Sequence, residues 1–304
     1  MKYKFDTKVD FYVTNVCNYT CENCNRFNNL DFKGWQRWSD YEETYREWSK
    51  YVDLRSAVIM GGEPTLNPTL SEWVEGLNKI WKVDVQVLSN GTRLMQSKNL
   101  YQAMLHRVRK QTMPNHIGIS VHNMDAWDEI RNNIRNFLCH PIVEWGEKIN
   151  VPAPLNVPDY KSHWAFYDRN GVMVNCWVSN NFSQAAVQSN NQGRYTLFNN
   201  NAEQTELAYK NCAFVKFKSY HFIRGKLYRC APTALLPEFD QQFTLDISDQ
   251  DRELLNSYQP LTVESFPERG AEFLRTIDDA VPQCKFCSPS GDAKHIFPIR
   301  KNSA

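Results

Sequence analysis

Short apolar runs recur along this chain, with stretches of helical period between them. Six of the runs read as strands: Val9 to Thr14, Ala57 to Met60, Val83 to Leu88, His116 to Val121, Lys148 to Pro152 and Val172 to Val178. Ser39-Asp40-Tyr41-Glu42 has the form of a capping box and predicts a helix to about Lys50. Pro68 to Trp81 places Leu70, Trp73, Val74, Leu77 and Ile80 at helical spacing, and Asp125 to Phe137 follows the same period. Alternating β and α predicts a parallel sheet and an α/β fold. Six β/α units are too few to close an eight-stranded barrel, so a curved partial barrel open on one side is expected. Ligands of such sheets collect at the carboxyl ends of the strands.

After about residue 182 the pattern changes. Gln184 to Asn201 is polar and reads as a linker or long loop. Lys218 to Arg229 predicts a hairpin that turns at Arg224-Gly225. Two domains are therefore expected, residues 1–182 and 183–304, and no internal repeat is evident.

Composition narrows the class. A chain of 304 residues can bury one large α/β core and a smaller appendage. With 35 basic and 34 acidic residues there is no broad electrostatic footprint for nucleic acid or an anionic membrane. Met1 to Asp6 lacks the apolar core of a signal peptide, and no later stretch approaches a membrane span, so a cytoplasmic location is expected. The nine cysteines are odd in number, and seven fall into metal-like spacings. Without a secretion signal, reduced thiols for metal are a better reading than disulfides.

Cys17, Cys21 and Cys24 converge within eight residues and have no fourth partner nearby. A Cys-x3-Cys-x2-Cys loop can hold three corners of a cubane iron–sulfur cluster and leave one iron open. The strand Val58-Ile59-Met60 then runs into Gly61-Gly62-Glu63-Pro64. A tri-cysteine loop after the first strand and GGEP after the second together resemble the signature of radical S-adenosylmethionine (SAM) enzymes. The resemblance implies a partial (β/α)6 barrel, a [4Fe–4S] cluster on the three cysteines, SAM as cofactor and a flavodoxin- or ferredoxin-type electron donor. It makes Gly61, Gly62, Glu63 and Pro64 the segment that receives the methionine ammonium, through backbone carbonyls and the Glu63 carboxylate.

Leu88-Ser89-Asn90-Gly91-Thr92 and Ile117 to His122 are similar to family segments that line the cofactor, which adds Ser89 and Asn90. Ser120 and Arg131 have the spacing of the pair that often holds the SAM carboxylate in the family. A solvated helix position is the alternative for Arg131. Asn23 stands where many members have an aromatic residue near the adenine, which leaves that contact to backbone or to the sixth strand around Cys176 to Asn180. In the mechanism the resemblance implies, an electron reaches the SAM sulfonium and breaks its carbon–sulfur bond. The resulting 5′-deoxyadenosyl radical takes a hydrogen atom from the substrate.

Cys212 and Cys230 bracket the predicted hairpin, and Cys284 and Cys287 arrive near the end. Four thiolates make a closed site, and their spacing alone fits zinc as well as iron–sulfur. Cys212-x12-Gly225-x4-Cys230 resembles the opening of the SPASM motif, and the shortened set resembles the twitch domain. That implies a small C-terminal α+β domain with a second, auxiliary [4Fe–4S] cluster suited to electron transfer. The four-cysteine pattern particularly resembles the twitch-type dehydrogenase that oxidises an aminocyclitol alcohol. The leading expectation is an oxidoreductase acting on a small polar substrate. The alternatives are rearrangement, epimerisation or bond formation on a ribosomal peptide or nucleotide-derived substrate, and a non-catalytic metal-binding scaffold. The first strand begins almost at the amino terminus, so a peptide substrate would need a separate recognition protein.

Of the remaining residues, Cys176 is either a hydrogen-atom donor to a substrate radical or a core residue, and Cys139 reads as core. His122 is either a proton acceptor or a satisfied loop histidine. Trp35, Trp38 and Trp48 read as packing a helix on the sheet, with Trp35 also placed to contact substrate. Tyr228 and Arg229 read as hairpin residues that can also face the cavity between the domains. Asn156, Ser179, Asn180 and Asn181 near strand ends suggest hydroxyl or amide recognition.

Overall fold

The structure is a computed structural model that describes residues 2–97, 99–106, 115–138, 141–145, 163–179, 181–183, 186–189, 192–197, 201–289, 293–295 and 299–300. Its centre is a nine-stranded sheet of β1 (Tyr3–Thr14), β2 (Val52–Gly61), β3 (Val85–Ser89), β4 (His116–Val121), β5 (Pro141–Trp145), β6 (His163–Asp168), β7 (Met173–Val178), β8 (Tyr220–Ile223) and β9 (Lys226–Tyr228). The spatial order is β9-β8-β1-β2-β3-β4-β7-β6-β5. The six strands from β8 to β7 are parallel, while β9, β6 and β5 are antiparallel additions at the two edges.

The sheet is therefore mixed, and its parallel strands are not the six predicted. The run Lys148 to Pro152 lies outside the described residues, and β7 pairs directly with β4. The sixth parallel strand is β8, which returns from the C-terminal part of the chain to pair with β1. Aromatic packing explains the return. Phe222 of β8 stacks on Phe11 of β1 at 5.2 Å and meets the edges of Tyr45 and Trp48. The β8–β9 turn is the predicted one, with Arg224 at φ 49° and Gly225 at φ 72°. Positive φ at both central residues matches the right-handed twist of a two-residue hairpin. The outer edge of β9 is closed by paired backbone hydrogen bonds between Leu227 and Leu261, which leaves fewer exposed edge groups.

Four helices, α1 (Glu42–Tyr51), α2 (Leu70–Trp81), α3 (Leu100–Leu105) and α4 (Trp127–Phe137), contribute buried residues to the core on one face of the sheet. Val9, Phe11 and Val13 of β1 point into that core with Trp73, Val74, Leu77 and Trp81 of α2. The capping box does not form: a 3-10 turn at Trp38–Asp40 precedes α1, Tyr41 is the N-cap, and no side-chain cap bond is made. Trp38 is instead drawn into the core, stacked on Tyr45 and edge-on to Trp73. Trp48 is fully buried and donates to the Gly225 carbonyl at 2.7 Å, which docks the hairpin tip on α1. Replacing it with alanine would cost about 3–5 kcal/mol. Trp35 is 40% exposed, packed against the Arg37 guanidinium rather than in this core.

The opposite face of the sheet, with Tyr12 and Ile223, is covered by a second core built on α7 (Pro232–Phe243) and α8 (Asp249–Asn256). Two further helices, α5 (Thr205–Asn211) and α6 (Ala213–Lys216), lie between the sheets in sequence, and α9 (Phe266–Thr276) joins the first core. The stretch expected as a linker contains paired strands, Val187–Ser189 with Tyr195–Leu197, whose Val187 and Leu197 enter the second core. Ile299–Arg300 pairs with Tyr19–Thr20 in the cysteine loop. No helix among the described residues is long and apolar enough to cross a membrane.

Candidate active site

The first site begins where β1 ends. Thr14 Oγ1 accepts the Val16 N–H at 3.0 Å, and Asn15 donates from N to the Gly34 carbonyl and from Nδ2 to the Lys33 carbonyl. These bonds close the loop that carries the cysteines. Within it, Asn23 and Phe27 take left-handed backbone (φ 59° and 61°), and the Phe27 N–H returns to the Cys24 carbonyl.

β2 delivers Gly61-Gly62 against the same loop. The Gly62 N–H donates to Thr14 O and the Glu63 N–H to Val16 O, each at 2.7 Å. A Cβ on Gly61 would stand 2.4 Å from Thr14 O, and one on Gly62 would stand 2.3 Å from Val16 O. The glycines are thus required by the approach of two backbone segments, whatever the cavity holds.

Glu63 turns inward. Its Oε1 accepts from Thr65 N, Thr65 Oγ1 and Ser89 Oγ at 3.1, 2.6 and 2.8 Å, and its Oε2 accepts from Asn90 N at 2.7 Å. Burial raises its carboxyl pKa and these bonds pull it back. Neither Glu63 nor Pro64 is among the residues lining the cavity, and four protein donors occupy the Glu63 carboxylate.

A cavity of about 260 Å³ is lined by Cys17, Cys21 and Cys24 together with Gly61, Gly62, Ser89, Asn90, Ser120 and His122. Asn90 Nδ2 donates to Asn18 Oδ1, and Asn18 Nδ2 to Thr92 Oγ1, which ties the cysteine loop to the turn after β3. His122 Nδ1–H donates to the Ser179 carbonyl at 2.6 Å, and burial lowers the ring's pKa, so at neutral pH Nε2 carries no proton. Arg131, half-buried on α4, does not line this cavity although Ser120 does.

Cys176 takes the core position, one of its two readings. It is 0% exposed in the core beneath the helices, while its neighbours Asn175 and Trp177 take the other face of β7 by strand alternation. Neither cavity reaches it, so it is not placed to give a hydrogen atom to a substrate. Cys139, Asn156 and Asn180 lie outside the described residues, as does the side chain of Asn181.

The four C-terminal cysteines meet around a small pocket. Cys212 links α5 to α6, Cys230 precedes α7, and Cys284 and Cys287 sit in and just beyond the 3-10 turn Pro282–Phe286; all four line that pocket. Arg229 lines it too, donating to the Asp279 carbonyl and lying over the Tyr209 ring. Tyr228 stacks on Tyr258 at 6.0 Å.

Among the described residues, no group of His, Cys, Asp and Glu is arranged as a metal-ion site. The donor chemistry nevertheless fits iron–sulfur clusters, since three thiols line the first cavity without a carboxylate and four line the C-terminal pocket. Burial pushes the Cys21 thiol up to about 12 and the Cys230 thiol to about 11, with Cys17 and Cys287 also raised. Ligation would displace these protons, as a metal cation stabilises the thiolate.

A second cavity, of about 280 Å³, lies between the two cysteine sets. It is lined by Cys212 and Cys287 and shares Asn25, Arg26 and Met60 with the first. Its charged residues, Asp10 and Arg26, belong to no sequence motif. The signal for Asp10 is an acid inside the apolar strand Val9-Asp10-Phe11-Tyr12-Val13, whereas Arg26 in its loop looks like any surface arginine.

Residues 11–136 match the family described as Radical SAM superfamily. No curated protein matches the chain. Among solved structures, Streptococcus suis SuiB bound to S-adenosylmethionine is similar over 44% of this chain and 31% of its own, with 16% identity and a TM-score of 0.35. SuiB bound to precursor peptide SuiA gives 44% and 30%, with the same identity and TM-score. The match thus spans less than a third of SuiB. With its cysteine loop and Gly61-Gly62 on one cavity, the segment 11–136 is a radical SAM superfamily domain, and members of that superfamily use a [4Fe–4S] cluster and S-adenosylmethionine.

Proposed function

We propose that the chain is a radical SAM oxidoreductase. In this reading Cys17, Cys21 and Cys24 hold the SAM cluster, and a small polar substrate occupies the second cavity. Cys212, Cys230, Cys284 and Cys287 hold an auxiliary [4Fe–4S] cluster, in a C-terminal part resembling a twitch domain, that accepts an electron from the substrate. When bound, the first cluster and SAM supply one-electron chemistry that yields methionine and a 5′-deoxyadenosyl radical. The chain's own residues orient and enclose. Gly61 and Gly62 offer backbone to the cofactor, Ser120 offers a hydroxyl, Ser89 and Asn90 form the wall with side chains bonded to Glu63, Asn18 and Thr92, and neutral His122 can take a proton through Nε2. Glu63 fixes the walls.

The observation that carries this reading is the pair of cavities meeting at Asn25, Arg26 and Met60, one lined by the first three cysteines and the other by Cys212 and Cys287. A substrate there would lie beside both thiol sets. The test is anaerobic reconstitution followed by dithionite and SAM, with 5′-deoxyadenosine, iron and sulfide quantified in wild type and a Cys17/Cys21/Cys24 triple alanine variant. Product from wild type that disappears in the variant supports the reading. No product from cluster-replete wild type would sink it in favour of a metal-binding scaffold.

A further inference from the structure

Arg26 follows the cysteine loop, two residues beyond Cys24, yet is only 7% exposed. Its Nη2 donates to Met60 Sδ at 2.9 Å and to His221 Nε2 at 3.0 Å, and its guanidinium carbon lies 5.4 Å from the Phe214 ring centre. Nη1 is buried with no hydrogen-bond partner among the described residues. A buried guanidinium with an idle donor is costly, and an acceptor bound in an adjoining cavity would offset that cost.

Asp10 stands close by without completing the pair. Its Oδ2 accepts from Ser219 Oγ at 2.7 Å and lies 3.2 Å from His221 Nε2. One ring nitrogen, His221 Nε2, thus stands within 3.0 Å of Arg26 Nη2 and 3.2 Å of Asp10 Oδ2, and burial holds the imidazole neutral. Arginine and aspartate therefore flank one neutral ring, and both residues line the second cavity. The remaining wall is mainly apolar, with Phe27, Phe214, Phe217 and Pro232. A polar end beside an apolar chamber describes the ligand.

We propose that the second cavity binds a small carboxylic acid with an apolar body, its carboxylate held by the Arg26 guanidinium. This deepens the substrate site of the proposed function and rests on it. A planar guanidinium recognises a carboxylate through parallel N–H bonds that lysine cannot reproduce. A donor next to the ligand's carboxylate, such as an ammonium or hydroxyl, would meet Asp10.

The probe is 3-phenylpropionate, with 3-phenylpropionamide as its neutral counterpart, titrated calorimetrically into reconstituted protein with SAM present. The acid is expected to bind at least tenfold more tightly than the amide. Arg26→Gln should remove that preference, and Arg26→Lys should restore only part of it. Equal binding of acid and amide to wild type would mark an adventitious additive only and overturn the proposal, even if the variants fail to fold. Loss of SAM affinity in Arg26→Gln with acid binding intact would also overturn it and move the arginine to the cofactor. Because the titration reads binding, it can succeed or fail independently of 5′-deoxyadenosine formation.

Discussion

Glu63 Oε2 accepts the backbone N–H of Asn90 at 2.7 Å, so the carboxylate that follows β2 sets the position of the turn that follows β3. With Ser89 Oγ on Oε1, one side chain holds two walls of the first cavity in register. Glu63→Gln puts an amide NH2 where a donor already points, which should cost about 1–3 kcal/mol. Glu63→Ala strands four buried donors and should cost more, roughly 3–5 kcal/mol. Urea unfolding of the three proteins measures both. An alanine variant as stable as wild type would show that Glu63 is not a pin.

Gly62 is the tightest point between β2 and the cysteine loop. Because a Cβ there meets a backbone carbonyl at 2.3 Å, no rotamer change relieves it, and the two segments must separate. Gly62→Ala is expected to destabilise by about 3 kcal/mol or more. Gly193, at φ 72° with open space around it, gives the control: alanine there meets only left-handed strain of about 1–2 kcal/mol. Thermal unfolding of both variants ranks them, and faster labelling of the loop thiols in Gly62→Ala alone would locate the damage.

Asp10 is pushed up to about 6 from 3.8, chiefly by burial, with Ser219, Arg26 and Lys8 pulling the other way. A raised carboxyl binds its proton more tightly folded than unfolded. Its contribution is therefore fully present below pH 3.8 and lost as pH rises through about 6. The loss amounts to roughly 3 kcal/mol. Asp10→Asn does not titrate, so its stability relative to wild type should climb by about that amount between pH 4 and pH 7. Paired denaturant titrations across that range decide it; a constant gap would mean that burial does not disfavour the charge.

Motif and periodicity reach different depths in this chain. The apolar runs around Val9, Val58, Val85 and Ile117 predict β1 to β4, because each is a buried strand long enough to carry its own pattern. β8 has just four residues, and its place beside β1 follows from Phe222 meeting Phe11, Tyr45 and Trp48 across more than 170 residues, a contact no local window contains. The same limit applies at the site. Cysteine spacing brings Cys17, Cys21 and Cys24 to one cavity and the later four to one pocket. It cannot say that Glu63 turns inward, since that depends on Ser89 and Asn90 being opposite it, or that Cys176 faces the helices, since the strand's phase is fixed by its pairing with β4.

The two classes of cysteine should separate in metal content. Cys176 is enclosed by apolar side chains, and burial raises its thiol with no charge nearby to oppose it. Cys176→Ala is therefore expected to keep all of the reconstituted iron and to lose only about 1 kcal/mol from a small cavity. Cys287 lies among Cys212, Cys230 and Cys284, each of which disfavours a second unligated thiolate beside it. Metal neutralises that repulsion, so removing Cys287 removes the site's reason to hold four thiolates. Cys287→Ala should lose about half the iron and sulfide while the Cys17, Cys21 and Cys24 loop keeps its share. Iron, sulfide and zinc determinations on both variants and wild type give the answer. Unchanged iron in Cys287→Ala with zinc lost instead would make the C-terminal site a structural zinc centre and leave the electron acceptor to be found elsewhere.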